Sequence, residues 1–250
     1  MRYFRKDAPH GAVLHVNKFG RCPAVGNGSW TPITSSGTLN FLTAATTIRI
    51  KAGGDANDTD GGSGAHSVYV QGLDGNFNPC SATLTAAGAS ASASSTQTFI
   101  RGFRAYVLLV GTYGGSNAAD ITIETTGGTE LLVIPAGESQ SQHCQYTVPA
   151  GHTARIVRIA AEVPSSKDAD LRFQFRLGAD DVTTPFKPAR TGGFRDGVSA
   201  SERSATYVEG INLPAKTDFW LEAYGNGAGV TASGEMEFYL IYPETDWLYY

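Results

Sequence analysis

The chain has 250 residues, 41% of them hydrophobic, which is enough apolar material to close a sizeable core. Thirty glycines and a charged fraction of only 17% are typical of many short strands and tight turns rather than of amphipathic helices. The net charge of −4 provides no strong attraction to nucleic acid or to an anionic membrane. We therefore expect an all-β protein whose partners are neither nucleic acids nor membranes.

The cysteines and the N-terminal sequence indicate the redox state of the thiols and the compartment in which the protein is made. Cys22, Cys80 and Cys144 are widely spaced and form no C-x-x-C pair, so they predict neither a disulfide framework nor a zinc site. We expect reduced, buried thiols. The sequence shows no leader-like apolar region, and no stretch approaches the roughly 18 apolar residues of a membrane span. The protein is therefore predicted to be made in the cytoplasm, and either kept there or assembled there into something larger.

Residues 1–35 are predicted to form an extended N-terminal arm. Proline and glycine interrupt any alternation in this region, apart from a short strand predicted at 12–16. The first 30 residues carry five basic side chains against one acidic side chain. The basic residues are Arg2, Arg5, Lys6, Lys18 and Arg21. We interpret the arm as a basic segment that lies along an acidic neighbouring subunit, with a solvated terminus as the alternative.

Residues 36–128 are predicted to form the first of two β-sandwich domains. Its most apolar segment, 98–110, carries hydrophobic residues on both faces, which is typical of a central strand. Segment 86–95 consists of Ala, Ser and Gly, whose small side chains bury little surface. It therefore predicts an exposed loop or an edge strand.

The polar connection 53–62 has a composition that suggests calcium binding. Calcium loops use closely spaced oxygen ligands and end in a glutamate. Asp58, Asp60 and Gly61 match the third, fifth and sixth places of such a loop, but Ala56 occupies the first place and no glutamate occupies the twelfth. We predict a solvent-exposed turn here, and no metal site.

Residues 129–244 are predicted to form a second, jelly-roll-like β-sandwich. Apolar residues alternate with polar residues along 157–163 and again along 171–177, so each run predicts a strand with one buried face. Pro164 and the polar residues that follow it separate the two runs. We expect residues 164–168 to join the two strands as a hairpin.

Two segments of the second half are predicted to contact partners. The stretch 178–204 lacks alternation, and loops of this length within compact domains are usually functional or bound by a partner. Phe186 and Phe194 are its predicted contact residues. The apolar tail, 245–250, either folds back on the sandwich or inserts into a partner. Its predicted contact residues are Trp247, Leu248, Tyr249 and Tyr250.

Candidate catalytic residues are few. Glu235 and Glu237 point the same way from one predicted strand, roughly 7 Å apart, near the spacing of the carboxylate pair in glycoside hydrolysis. Nothing in the sequence indicates that either is desolvated enough to act as an acid. His143 and Cys144 are adjacent and point to opposite faces of a strand, so they do not form a nucleophile and base pair. We predict no catalytic residue, no cofactor and no enzymatic activity.

Six motifs between residues 70 and 223 resemble those of one family, and the resemblance runs from about residue 40 to residue 242. They are V-Q-G-L-D-G-N-F-N-P, T-F-I-R-G-F-R-A-Y-V, G-T-Y-G-G-S-N-A-A-D-I-T-I, I-P-A-G-E-S-Q-S, Y-T-V-P-A-G-H-T-A and L-P-A-K-T-D-F-W-L-E-A. As a set they look like virion structural proteins encoded by tailed bacteriophages, especially marine and cyanobacterial phages. The resemblance implies a component of the capsid, its decoration or the tail machinery. It implies no active site.

The sequence therefore predicts a homo-oligomeric building block of a virion, assembled in the host cytoplasm. Its expected partners are other virion proteins, such as the major capsid protein or tail and connector proteins. A capsid decoration or cement protein fits the basic arm best, and a head-to-tail or tail component is close behind. The alternative is a receptor- or carbohydrate-binding sandwich of a tail fibre, in which aromatic side chains stack on glycans. The candidate aromatic residues are Tyr69, Trp220, Tyr224 and Tyr239.

Overall fold

The protein is seen in a computed structural model that describes residues 13–242, and this range consists of strands, turns and bends. The strands are β1 (Val13–Val25), β2 (Trp30–Pro32), β3 (Thr46–Ile50), β4 (Ala65–Leu73), β5 (Pro79–Thr85), β6 (Thr98–Phe99), β7 (Arg101–Val110), β8 (Ile121–Thr125), β9 (Glu130–Ile134), β10 (Gln145–Thr147), β11 (Thr153–Arg176), β12 (Arg190–Leu213), β13 (Asp218–Gly225) and β14 (Val230–Ile241). The predicted all-β class is confirmed.

The described chain divides into two compact units. Unit 1 combines the residues up to Ile33 with those from Cys144 onward, and unit 2 is Thr34–His143. The sequence placed the boundary between residues 128 and 129 instead. The difference arises because β9 pairs with β8 and so belongs to unit 2.

Unit 1 is built on one antiparallel sheet in the order β1-β14-β11-β13-β10, with β12 added to β11 and β2 added to β13. β14 pairs with the first half of β11, and β13 pairs with the second half. Although β13 and β14 are not paired, their rings Phe219 and Phe238 lie 5.2 Å apart, and Tyr146 of β10 packs on both. The sheet therefore folds over itself and encloses an aromatic core, as in a β-sandwich.

The predicted hairpin at 164–168 is wrong. β11 is one continuous strand of 24 residues, and both of its halves pair with β12. The register shifts between Val163 and Asp168, so the polar segment marks an irregularity in pairing rather than a reversal of the chain.

The predicted long loop 178–204 is also shorter than expected, because residues from Arg190 onward form β12. The strand shows no alternation in its sequence because neither face is covered: only Val198 and Leu213 are buried among its 24 residues. Alternation reports a half-buried strand, and an exposed strand does not produce it.

The predicted arm contains a full strand. β1 runs over 13 residues and pairs with β14 almost throughout, rather than ending at residue 16. Its inward positions include Lys18 and Gly20, which hide the apolar pattern. Gly20 is required there, since a Cβ atom would come within 2.3 Å of the backbone nitrogen of Cys144.

Unit 2 contains a four-stranded sheet, β6-β3-β8-β9, and a three-stranded sheet, β5-β4-β7, around one apolar cluster. β4 is the central strand of the second sheet, so the prediction of a central strand at 98–110 is wrong. β7 is an edge strand of that sheet, and its exposed end carries Leu108 and Leu109.

The small-residue segment 86–95 in unit 2 lies along β3. The backbone amides of Ile48 and Ile50 donate to the Ser95 and Ser92 hydroxyls, at 3.0 and 2.9 Å. The backbone amides of the same two serines donate back to the carbonyls of Ile48 and Ile50. Both serines are buried, so the segment covers the edge of β3 instead of being an exposed loop.

Candidate interaction surface

The most exposed element of unit 1 is the ribbon formed by the C-terminal part of β11, the connection 177–189 and β12. β12 pairs only with β11, which leaves its other edge open. Large apolar side chains on this ribbon reach solvent: Phe186 is 59% exposed, Phe194 50% and Val208 97%. Exposed apolar groups concentrated on one element are typical of a surface that contacts a partner.

The open edge of β12 is irregular. The pairing of β11 with β12 shifts register at four places, and Gly197, Ala200 and Gly210 have positive φ. Bulges twist an edge strand away from further pairing, and this strand also carries charges of both signs. The ribbon is therefore suited to side-chain contacts rather than to the addition of another strand.

The connection between β11 and β12 is held by ion pairs. Lys216 Nζ lies 2.7 Å from Asp180 Oδ2, and Lys187 Nζ lies 3.2 Å from Asp181 Oδ2. The hydrogen bond from Lys216 lowers the pKa of Asp180, and hydrogen bonds from Thr183 and Lys187 lower the pKa of Asp181. The pair between Asp181 and Lys187 brackets the segment from which Phe186 projects.

Phe194 belongs to a cluster of rings at the base of the ribbon. Its ring lies 6.1 Å from that of Trp30, and Trp30 also packs against Tyr224 at 5.5 Å. The Arg172 guanidinium lies 4.1 Å from the centre of the Trp30 ring, and Arg172 Nε donates to Glu222 at 2.5 Å. A cation over the ring and a paired carboxylate hold this cluster in one arrangement, which preorganises Phe194.

The predicted basic contact residues fall into three groups. Arg21 is exposed on β1, as a contact residue should be. Lys18 is only 3% exposed, so it is not a surface contact. It lies opposite the buried Met236 in the pairing of β1 with β14, which turns it inward. Arg2, Arg5 and Lys6 lie outside the described residues. So do Trp247, Leu248, Tyr249 and Tyr250.

The two glutamates considered for glycoside hydrolysis contact an arginine. Arg158 Nη1 lies 2.7 Å from Glu235 Oε2 and 3.1 Å from Glu237 Oε1, and Nη2 lies 2.8 Å from Glu202. Burial alone would raise the pKa of Glu235, but hydrogen bonds from Asn17 and Arg158 outweigh it and lower that pKa. A general acid needs a raised pKa, so this arrangement suits a structural ion-pair network.

His143 and Cys144 contact different groups. His143 Nε2 accepts from the backbone amide of Val133 at 3.1 Å, while the Cys144 thiol donates toward the Lys18 carbonyl at 3.9 Å. Burial raises the pKa of Cys144, which disfavours the thiolate. All three cysteines are free; Cys22 and Cys144 are buried as predicted, whereas Cys80 is only half-buried. Burial raises the pKa of the half-buried Cys80 to about 12.

The polar connection 53–62 is held by Asp58, which is 4% exposed rather than solvated as predicted. Its two carboxylate oxygens accept from the backbone amides of Ala65, Ala118 and Ala119 at 2.8 to 3.0 Å. These bonds join the connection to the turn before β8, so Asp58 has a structural role. Within residues 13–242, no group of three or more His, Cys, Asp or Glu side chains is placed to hold a metal ion.

The aromatic residues considered for glycan stacking are scattered and mostly covered. Trp220 is buried and donates through Nε1 to Glu222, and Tyr224 is half-buried against Trp30. Tyr69 packs on Tyr106 at 5.4 Å. Tyr239 is the most exposed of the four, and it packs on His15.

In the part of the chain that the structure describes, no helix is long and apolar enough to cross a membrane.

No family model and no curated protein matches the sequence. Among solved structures, the chain is similar to infectious bursal disease virus, Gx strain, with 10% identity, a TM-score of 0.29 and coverage of 98% of this chain and 76% of that chain. The Gt strain gives 8% identity, a TM-score of 0.28 and coverage of 98% and 74%. T=1 particles derived from infectious bursal virus give 10% identity, a TM-score of 0.25 and coverage of 94% of this chain and 71% of that chain. Such low TM-scores carry no argument about fold or function.

Proposed function

We propose that this chain is a non-enzymatic structural component of a tailed-phage virion, assembled in the host cytoplasm and acting through subunit interfaces. A capsid decoration or cement protein, or a head-to-tail or tail component, is the role proposed from the sequence motifs. The partners would be copies of this chain and other virion proteins. The observation that carries the proposal is the exposed ribbon of unit 1.

The exposed apolar surface of the ribbon is energetically unfavourable for a protein that acts alone. Phe186, Phe194 and Val208 leave apolar surface in water, and burying such side chains stabilises by roughly 1.5–3 kcal/mol each. The ion pairs of the connection and the Trp30 cluster hold two of them in place before any partner arrives. Preorganised apolar groups lower the entropic cost of association.

The polar clusters of the chain support a role without catalysis. Arg158 forms ion pairs with both glutamates, and Asp58 accepts backbone hydrogen bonds within a loop. Each cluster is satisfied by neighbours that hold the fold together. We therefore propose that the chain acts by burying surface, and stable assemblies commonly bury about 2,000 Å² or more.

The test is an assembly measurement with recombinant full-length chain. Its mass in solution and its binding to emptied phage capsids would be compared with those of a double variant, Phe186→Ser with Val208→Ser. We expect a defined oligomer or capsid binding for the full chain, and at least about a tenfold loss for the variant, since two buried apolar contacts are removed. Tyr113→Ser is the matched control, because Tyr113 is fully exposed in unit 2.

A second pair of chains tests the termini. A chain lacking residues 1–12 and 243–250 keeps β1 intact, whereas a deletion through residue 30 would remove the strand that pairs with β14. Loss of assembly on the shorter deletion supports contacts made by the ends. An inert monomer that binds glycans instead would overturn the virion role in favour of a tail-fibre recognition module.

A further inference from the structure

Unit 1 has a small open pocket where β12 leaves the folded sheet. Ile159 and Leu171 of β11 and Leu221 of β13 form its apolar floor, and Arg195 and Arg203 of β12 stand at its rim. Its volume is about 40 Å³, room for roughly three water molecules, which corresponds to the end of one side chain. Phe173, Phe194 and Tyr207 complete the wall.

Strand pairing explains why both arginines face this pocket. Arg195 lies opposite Leu171 on the second half of β11, and Arg203 lies opposite Ala161 on the first half. Residues directly opposite in an antiparallel pair project from the same face of the sheet. Leu171 and Ala161 are buried, so both arginine side chains leave β12 on the face turned toward these two residues, and both arginines remain exposed to solvent.

The pocket carries positive charge that the described chain does not neutralise. Among residues 13–242, no carboxylate lies within ion-pair distance of Arg195 or Arg203, and the hydrogen bond that Arg195 makes is to the Phe194 carbonyl. The acidic group in the pocket, Glu222, is already bonded by Arg172 and by the Trp220 indole. An aromatic wall with two available guanidinium groups suits a ligand that combines carboxylates with aromatic rings.

The segment 243–250 of this chain has that composition. It reads P-E-T-D-W-L-Y-Y, with Glu244 and Asp246 followed by Trp247 and two tyrosines. We propose that the pocket binds this segment from a second copy of the chain, with its carboxylates at Arg195 and Arg203. The inference rests on the proposed role as an assembling subunit, and it names the contact between copies.

Chain length favours a second copy over the pocket's own chain. Arg203 lies level with Gly234 of β14, because both residues pair with Ala161 of β11. The eight residues from Gly234 to Tyr242 lead away from Arg203 over about 26 Å, and two strand spacings add about 10 Å across the sheet. Asp246 lies four residues beyond Tyr242 and reaches at most about 14 Å back from it. The acidic side chains therefore do not reach Arg203 of their own chain.

The test uses charge reversal in the full chain. One variant reverses the pocket (Arg195→Glu with Arg203→Glu), a second reverses the segment (Glu244→Lys with Asp246→Lys), and a third carries all four substitutions. Sedimentation velocity over a range of concentrations gives the dissociation constant of self-association. Arg190→Glu is the matched control for Arg195→Glu, since it lies on the same strand and is exposed but does not line the pocket.

We expect each reversed variant to self-associate at least about tenfold more weakly, and the four-substitution chain to return to within about threefold of the wild type. A mixture of the two reversed variants should form mixed oligomers, because an acidic pocket then meets a basic segment. Arg190→Glu should leave association unchanged.

Several results would overturn the inference. Equal association in all variants would show that copies meet elsewhere, while the virion role stands if capsid binding persists. A change in Trp247 fluorescence with a monomeric mass would place the segment on its own chain. Loss of capsid binding on pocket reversal alone, with none on segment reversal, would assign the pocket to an acidic segment of another protein. If the wild-type chain neither self-associated nor bound capsids, the result would contradict the proposed function itself.

Discussion

Units 1 and 2 use polar and apolar residues in opposite ways. In unit 2 the loops turn their polar side chains inward, where Asp58, Asn117, Ser92 and Ser95 bond backbone groups, and the two sheets surround one apolar cluster. In unit 1 the longest paired element, the β11–β12 ribbon, leaves phenylalanine and valine side chains in solvent. Unit 2 also exposes Leu108 and Leu109 at the end of β7, but in unit 1 the exposed apolar groups lie along one long ribbon with an open edge.

The distribution of tryptophan lets the two units be followed separately. None of the chain's three tryptophans lies in unit 2, and Trp30 and Trp220 lie in unit 1. Tryptophan fluorescence therefore reports on the unfolding of unit 1 alone. Circular dichroism in the far ultraviolet reports on the strands of both units. Comparing the two signals during urea unfolding assigns each transition to a unit.

The largest expected effect is in the core of unit 1. Phe238→Ala removes a fully buried ring that packs on Tyr146 and Phe219, and such truncations cost about 3–5 kcal/mol of unfolding free energy. We expect the fluorescence midpoint in urea to fall, while the unit 2 part of the dichroism signal keeps its midpoint. Phe186→Ala is the control, since its ring is exposed and its loss should change stability by less than about 0.5 kcal/mol. Equal effects of the two would contradict the folded-over sheet.

Asp58→Ala should give the next largest effect, this time in unit 2. The substitution leaves three backbone amides without their acceptor, and an unpaired buried donor costs about 1–3 kcal/mol. We expect unit 2 to lose about 3 kcal/mol or more of unfolding free energy. The circular dichroism transition of unit 2 should move to lower urea, while the fluorescence midpoint stays unchanged. Asp60→Ala, in the same loop but exposed, should have little effect. If neither substitution lowered the unfolding free energy, the stability of unit 2 would not depend on buried polar side chains that bond the backbone.

Sequence patterns predicted the elements that have one buried face. Apolar residues alternate along 157–163 and along 171–177, and both runs form strand within β11, apart from the last residue of the second run. The same rule missed most of β12, because neither of its faces is buried, and it shortened β1, because Lys18 and Gly20 occupy inward positions. Pro164 suggested a turn, but β11 continues through it with a shift of register.

Only some of the exposed residues of the ribbon could be anticipated from the sequence. Phe186 and Phe194 were predicted to be contact residues because they lie in a stretch without alternation, and both are exposed on the ribbon. The exposure of Val208 was not predicted, since valine is usually buried. Arg195 and Arg203 become neighbours only through the pairing of β12 with both halves of β11. Pairing between distant segments is not visible in local sequence.

The smallest effect is expected on the outer face of unit 1, where charged side chains pair with each other instead of turning inward as in unit 2. Glu235→Gln weakens the contact with Arg158 at 2.7 Å, and half-exposed ion pairs contribute less than about 1 kcal/mol. Because the pKa of Glu235 is lowered in the folded state, its carboxylate stabilises the protein above the ordinary glutamate pKa, and this contribution disappears as the pH falls through the lowered value. The fluorescence midpoints of variant and wild type should therefore differ slightly near pH 7 and converge as the pH falls below the ordinary glutamate pKa. Glu209→Gln is the control, since Glu209 is an exposed residue on β12, and this variant should leave the midpoint at pH 7 unchanged. If the difference between the two midpoints grew on acidification, Glu235 would be protonated in the folded protein.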